Sequence, residues 1–198
     1  MTEFVGFPKI ARLNREVVVT EKIDGTNASV YIGETGADGS RGVFLVGSRT
    51  RWITPEQDNY GFARWAYEHE EELRTLGPGH HYGEWWGSGI QRGYGLEKGE
   101  KRFSLFNVER WADDAVRPTC CHVVPTLGRL TGPLALGNDP MEKHQGPAIW
   151  DILSLLRACG SVAAPGFMKP EGIVIYHTHS RSLFKVTLEK DEEHKGKP

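Results

Sequence analysis

Apolar and polar positions alternate with a period of two over several short stretches of this chain, and follow a helical period over two others. Val17-Val18-Val19 leads into Thr20-Glu21-Lys22, and Ala28-Ser29-Val30-Tyr31-Ile32 follows the Asp24-Gly25 pair; the pattern predicts strand, turn and strand, with Lys22 at a strand end. Gly33 to Gly42 carries four glycines and reads as an exposed hairpin loop, after which the Val43 to Gly47 strand delivers Ser48-Arg49-Thr50-Arg51. Asn59 to Leu76 is the clearest helix, with Phe62, Trp65, Ala66, His69 and Leu73 near one face and Gly77-Pro78-Gly79 as its stop. His80 to Gly87 is an aromatic strand interrupted by Glu84, and Arg102 to Trp111 is a strand with Ser104, Phe106 and Val108 on one face. From Ala112 to Pro147 the chain is rich in Gly and Pro and reads as connections, with one strand near Cys121 to Val124. Ala148 to Ala158 predicts a short helix, and Lys169 to Tyr176 and Ser182 to Thr187 predict two strands joined by a polar turn. Phe4 to Arg15 is an extended lead-in expected to cover one edge of the core. The class is α+β, with no internal repeat.

Composition narrows the picture. A chain of 198 residues that is 38% hydrophobic buries one substantial core, so residues 1–188 are expected to form one domain and 189–198 a charged, frayed tail. The net charge of -2 argues against wholesale electrostatic capture by nucleic acid and leaves room for a local basic site. Apolar runs fall short of the roughly 20 residues that span a bilayer, and the N-terminus lacks a basic segment followed by an apolar one. The expectation is a soluble, unexported protein without a membrane partner. Three cysteines, Cys120, Cys121 and Cys159, form neither an even framework nor a spaced metal pair, which points to a reducing cytoplasm without disulfides.

Several residues stand out chemically. Lys22, on the residues alone, is either a solvated hairpin lysine or a nucleophile projecting from a strand end. Glu84 lies between Gly83 and Trp85 in a strand; it faces water at a sheet edge, or it needs a partner or a ligand. Glu171 opens one strand and Lys185 lies inside the next, as a salt bridge or as an acid and a base in one site. The adjacent Cys120-Cys121-His122 and the alternating His177 and His179 lack the spacing of metal ligands.

The order of these elements, and above all Glu21-Lys22-Ile23-Asp24-Gly25-Thr26-Asn27, resembles the covalent nucleotidyltransferase superfamily, and within it the phage and bacterial ATP-dependent RNA ligases. The likeness runs from Phe4 to Thr187. It implies an ATP-grasp-like nucleotidyltransferase domain, with antiparallel sheets enclosing a nucleotide cleft and helices outside. It also implies the covalent role for Lys22, a phosphate contact for Arg49 in Gly47-Ser48-Arg49, and a ribose contact for Glu84 in Tyr82-Gly83-Glu84. Phe106 would stack on adenine, Glu171 would be the acid associated with metal, and Lys185 would contact the α-phosphate. Backbone atoms around Glu21 would read the purine edge, and Asn27 would support a phosphate. The implied activity joins RNA 5′-phosphate and 3′-hydroxyl ends through lysyl-AMP, with ATP and Mg²⁺ or Mn²⁺, as in RNA repair in a bacterial or phage-infected cytoplasm. A capping-type guanylyltransferase, a DNA ligase and a noncatalytic nucleotide- or RNA-end-binding module are the alternatives.

The chain departs from the family pattern in three respects. Phe184-Lys185-Val186-Thr187 stands where many relatives have Lys-x-Lys, leaving one cation to be supplied by Arg181 or another residue, and Asn107 stands where Asp is usual. Relatives carry a further C-terminal domain, whereas about a dozen residues follow Lys185, so an accessory protein or domain is expected for efficient sealing. His177, His179, Arg181 and Lys185 are expected to form a positive lip for an RNA end.

Overall fold

The computed structural model describes residues 3–131 and 149–189, in which ten strands form two sheets. One has four strands in the order β10-β9-β1-β8, and the other has six in the order β4-β3-β2-β5-β6-β7. The strands are β1 (Val17–Lys22), β2 (Thr26–Ile32), β3 (Phe44–Gly47), β4 (Trp52–Ile53), β5 (Gly79–Gly87), β6 (Lys101–Leu105), β7 (Cys121–Val123), β8 (Thr126–Leu130), β9 (Gly172–His177) and β10 (Ser182–Thr187). The helices are α1 (Phe62–Glu68), α2 (Glu70–Leu73), α3 (Val108–Trp111) and α4 (Ile149–Cys159). Pairing is antiparallel except between β6 and β7, which run parallel.

The sheet periodicity decides which residues go where. Ala28, Val30 and Ile32 from β2, Val46 from β3, and Phe103 and Leu105 from β6 pack against Phe62, Ala63 and Ala66 of α1 and Leu73 of α2. Val17 and Val19 of β1 and Ile173 and Ile175 of β9 pack against Ile152, Leu153 and Leu156 of α4. The intervening residues meet between the sheets, where Val18, Ile23, Trp86, Tyr94, Val108, Val124 and Ala164 form a third cluster. Each sheet therefore carries its helix on one side and faces the other sheet with the opposite side.

Several expectations change. β1 and β2 belong to different sheets, so Ile23 to Gly25 is a crossover between sheets, not the turn of a hairpin. The strand expected over Arg102 to Trp111 ends at Leu105, because the Asn107 side chain accepts from Arg110 N at 3.1 Å and caps α3, which removes Phe106 and Val108 from the strand face. β8 arises within the stretch read as connections and pairs with β1. The helix expected from Asn59 starts at Phe62, where Asp58 accepts from Ala63 N and Arg64 N, and it breaks at His69, whose φ of -108 and ψ of 20 leave the helical region. Residues 3–15 do not cover the core: Phe4, Phe7 and Ile10 are exposed. The expected tail from 190 onward, and the parts of the expected connections and helix at 132–148, lie outside the described residues.

Candidate active site

Lys22 is the last residue of β1 and lies opposite Gly172, the first residue of β9. A Cβ on Gly172 would lie 2.1 Å from Val186 O and 2.8 Å from Thr187 Cα, so only glycine lets β10 close against β9 here. This close approach fixes the chain at Glu171, which is 3% exposed and accepts from Lys22 Nζ through Oε2 at 2.5 Å.

The facing half of the site comes from the other sheet. Glu84 lies in β5, between β2 and β6, and is 8% exposed, so it is a central-strand acid and not an edge glutamate in water. Its Oε1 accepts from Gly25 N at 3.0 Å and its Oε2 from Asn27 Nδ2 at 3.1 Å. A Cβ on Gly25 would lie 2.4 Å from Trp85 O and 2.7 Å from Trp86 Cβ; the glycine of the Asp-Gly pair thus brings the crossover down onto β5. Burial pushes the Glu84 carboxyl up from 4.5 to about 7, against the two hydrogen bonds and Lys22, which favour the charged form, while Glu171 adds to the rise. The two acids and the lysine are close enough to act on one another electrostatically.

Asp24, between Lys22 and Gly25, is held at both ends. Its N–H donates to the Tyr94 hydroxyl at 2.9 Å, and its carboxylate accepts from Arg92 Nε at 3.0 Å. Arg92 also donates to Lys169 O at 3.1 Å and to Glu189 Oε2 at 3.3 Å, joining the crossover to the segments before Glu171 and after β10. Burial raises the Tyr94 hydroxyl, which keeps it neutral as the acceptor of the Asp24 N–H.

The other sequence-derived candidates are distributed unevenly around this core. Lys185 is exposed and lies opposite Val174, itself opposite Thr20, so it shares a sheet face with Lys22 two strands away. Arg49 is exposed in the Ser48–Arg51 turn, and Phe106, 42% exposed, donates its N–H to Tyr82 O at 2.9 Å beside Glu84's strand. Glu21 points away from Lys22, since neighbours on a strand face opposite sides. Its carboxylate, 1% exposed, accepts from Ser161 Oγ at 2.6 Å and from Val162 N and Ala163 N at 2.8 and 2.9 Å. Arg181 lies in the turn between β9 and β10, at the opposite end of both strands from Glu171, so the structure does not bring it to Lys22. Of the expected positive lip, His177 is withdrawn, since it is buried with its Nε2 2.9 Å from Leu13 O and its Nδ1 2.9 Å from Ser180 Oγ, while His179, Arg181 and Lys185 are exposed. Among the described residues no three His, Cys, Asp or Glu side chains converge as a metal cage. A magnesium-type ion that takes most of its ligands from phosphates and water needs only one or two carboxylates, and Glu171 fits that requirement.

A family model described as RNA ligase matches residues 15–187, a span that contains every strand of both sheets. The chain belongs to the RNA ligase family. No curated protein sequence matches this RNA ligase family chain. Among solved structures it is similar to Naegleria gruberi RNA ligase. A mutant with ATP and Mn superposes at a TM-score of 0.59, with 20% identity over 92% of this chain and 53% of that one. The enzyme with PPi gives 0.58 and 21% over 88% and 50%, and a ligand-free mutant gives 0.57 and 19% over 88% and 50%. This RNA ligase family chain thus spans about half the length of those structures and shares their fold.

Sequence reasoning missed Arg92, Tyr94 and the Ser161–Ala163 loop as parts of this arrangement. Arg92 and Tyr94 lie in a Gly-rich stretch between β5 and β6, where Gln91 and Tyr94 have φ of 44 and 53. Non-glycine residues in left-handed backbone were the structural signal, and that signal is absent from the sequence.

Proposed function

We propose that this chain carries out the chemistry of an ATP-dependent RNA ligase through a lysyl-AMP intermediate on Lys22. The observation that carries the reading is the 2.5 Å contact between Lys22 Nζ and Glu171 Oε2. A lysine must present a neutral amine to attack phosphorus, and a carboxylate at hydrogen-bond distance is a ready acceptor for the departing proton. The lone pair of Nζ then forms the N–P bond to the α-phosphorus of ATP while the bond to the pyrophosphate oxygen breaks, and the second proton that the nitrogen sheds leaves with the pyrophosphate or to water. A divalent cation, when bound, neutralises phosphate charge; Glu171 would hold it.

The remaining assignments are those the resemblance implies for each residue. Glu84, fixed by Gly25 and Asn27, accepts from the ribose hydroxyls, and exposed Phe106 offers its ring to the purine. The backbone around Glu21 reads the purine edge, Lys185 reaches the α-phosphate, and Arg49 and Asn27 receive a phosphate. AMP would pass from Lys22 to the 5′-phosphate of an RNA end, and a neighbouring 3′-hydroxyl would displace it. The nucleotide lies between the two sheets in this reading.

The test is incubation with α-labelled ATP and Mg²⁺ or Mn²⁺, followed by denaturing electrophoresis. Label is expected on the wild type, stable to base and lost in acid, and absent from Lys22→Ala. Label retained by Lys22→Ala sinks the reading. Label from GTP and not ATP favours a capping-type enzyme, and no label on a folded wild type favours a binding module.

A further inference from the structure

The register of the six-stranded sheet places a row of aromatic rings on the face that carries Glu84. Tyr82 of β5 lies opposite Ser29 of β2, Ser29 opposite Gly47 of β3, and Gly47 opposite Trp52 of β4. In the next row His80 lies opposite Tyr31, which lies opposite Leu45. Asn27 and Glu84 pair in the row on the other side of Tyr82, two residues further along β5. Ala28 and Val30 point into the helix-covered core, so Ser29, Tyr31, His80, Tyr82 and Trp52 all point to the opposite face.

These rings form an ordered ladder. His80 stacks on Trp52 with centroids 5.4 Å apart and planes within 5°, and on Tyr82 at 5.0 Å and 20°. Tyr31 buttresses them from below, tilted by 54° to Trp52 and 56° to His80. The small side chains of the central row make the space: a Cβ on Gly47 would press on Trp52 Cε3 and Cζ3 at 3.3 Å. The outer rings of the ladder are not covered, since Tyr82 is 56% and Trp52 48% exposed. Rings on neighbouring strands stabilise a sheet by packing on one another, but a stack whose outer rings stay about half exposed also leaves π-faces open to a further planar group.

We propose that Tyr82, His80 and Trp52 are a stacking platform for unpaired bases of the RNA strand whose end is brought to Lys22. Every base presents a π-face, so a ladder of this kind binds single strands with little sequence preference. The platform is continuous with the proposed nucleotide site through Glu84, about 7 Å from Tyr82 along the strand. Its charge suits the same ligand. Arg49 and Arg51, both exposed, lie in the turn that leads into Trp52, with Arg51 Nη1 3.4 Å from Gln57 Oε1, and so supply cations in the chain next to one end of the ladder. In the three rows just described, Glu84 is the one carboxylate. A duplex would present edges and phosphates and leave the ring faces unused, so the ligand is single-stranded.

This inference rests on RNA being the substrate, and its test does not require adenylylation. Binding of a fluorescent single-stranded RNA is measured by anisotropy at several salt concentrations for the wild type, Trp52→Ala, His80→Ala and Trp52→Phe. Loss of one stacking ring is expected to weaken binding by about tenfold, with Trp52→Phe retaining most of the affinity. The ring variants keep the salt slope of the wild type. Arg49→Ala and Arg51→Ala instead flatten it by about 0.7 per lost phosphate contact. Unchanged affinity in both alanine variants overturns the platform, as does a change confined to self-association measured by sedimentation. Binding that depends on the rings in a protein that takes no label from ATP would leave the platform standing and remove the proposed function instead.

Discussion

Glu84→Gln tests the electrostatic account of the site most directly. The Glu84 carboxyl titrates at about 7 in the folded protein and near 4.5 when exposed, which corresponds to about 3 kcal/mol at 1.36 kcal/mol for each pKa unit. The sign follows from proton counting. Between those two values the folded chain holds a proton that the unfolded chain has released, so stability falls as pH rises through this window and levels off above it. Glutamine has nearly the same shape and no titration. Subtracting its unfolding free energy from that of the wild type at each pH isolates Glu84 from all other groups. Urea denaturation from pH 5 to pH 8 should show the wild type losing about 2.5 kcal/mol relative to the variant, with most of the change below pH 7. The same shift has a functional face: ribose hydroxyls donating to the carboxylate favour its charged form, so ATP binding near pH 6 should release a proton, and Glu84→Gln should not. A stability difference that is flat with pH would refute the burial argument.

Two further substitutions separate packing from chemistry. Gly25→Ala puts a methyl within 2.4 Å of Trp85 O, and it is expected to lift the crossover off Glu84, cost about 1–3 kcal/mol and abolish adenylylation; thermal unfolding and ATP labelling check the two parts. Glu21→Ala removes the acceptor for Ser161 Oγ, Val162 N and Ala163 N, and each donor left buried costs about 1–3 kcal/mol. It should therefore lower the melting temperature sharply while labelling survives in the fraction that stays folded, whereas Lys22→Ala one residue away abolishes labelling altogether and also costs stability, since it removes the cation beside buried Glu171.

What the sequence determines by itself is local. The period-two runs identify most of the strands, but Gly83-Glu84 and Glu171-Gly172 look locally like the exposed Gly33-Glu34, so the burial of Glu84 and Glu171 is not legible in the pairs themselves. The order of the elements, with Glu21 to Asn27 foremost, carries the resemblance to the RNA ligases, and the family match over residues 15–187 agrees with it. The tertiary structure alone decides which strands are neighbours. Nothing local tells that β1 and β2 part into separate sheets, because an Asp-Gly pair serves a hairpin and a crossover equally well; the deciding contact is Gly25 against Trp85, 60 residues away. The break at Leu105 depends on a cap from Asn107 competing with strand pairing, and β8 exists because β1 needs a partner on its open edge. Arg92, Tyr94 and the loop that holds Glu21 act through contacts 68 to 142 residues apart in sequence. Periodicity measures the solvent pattern of one segment, and the site is assembled from the pairing of many.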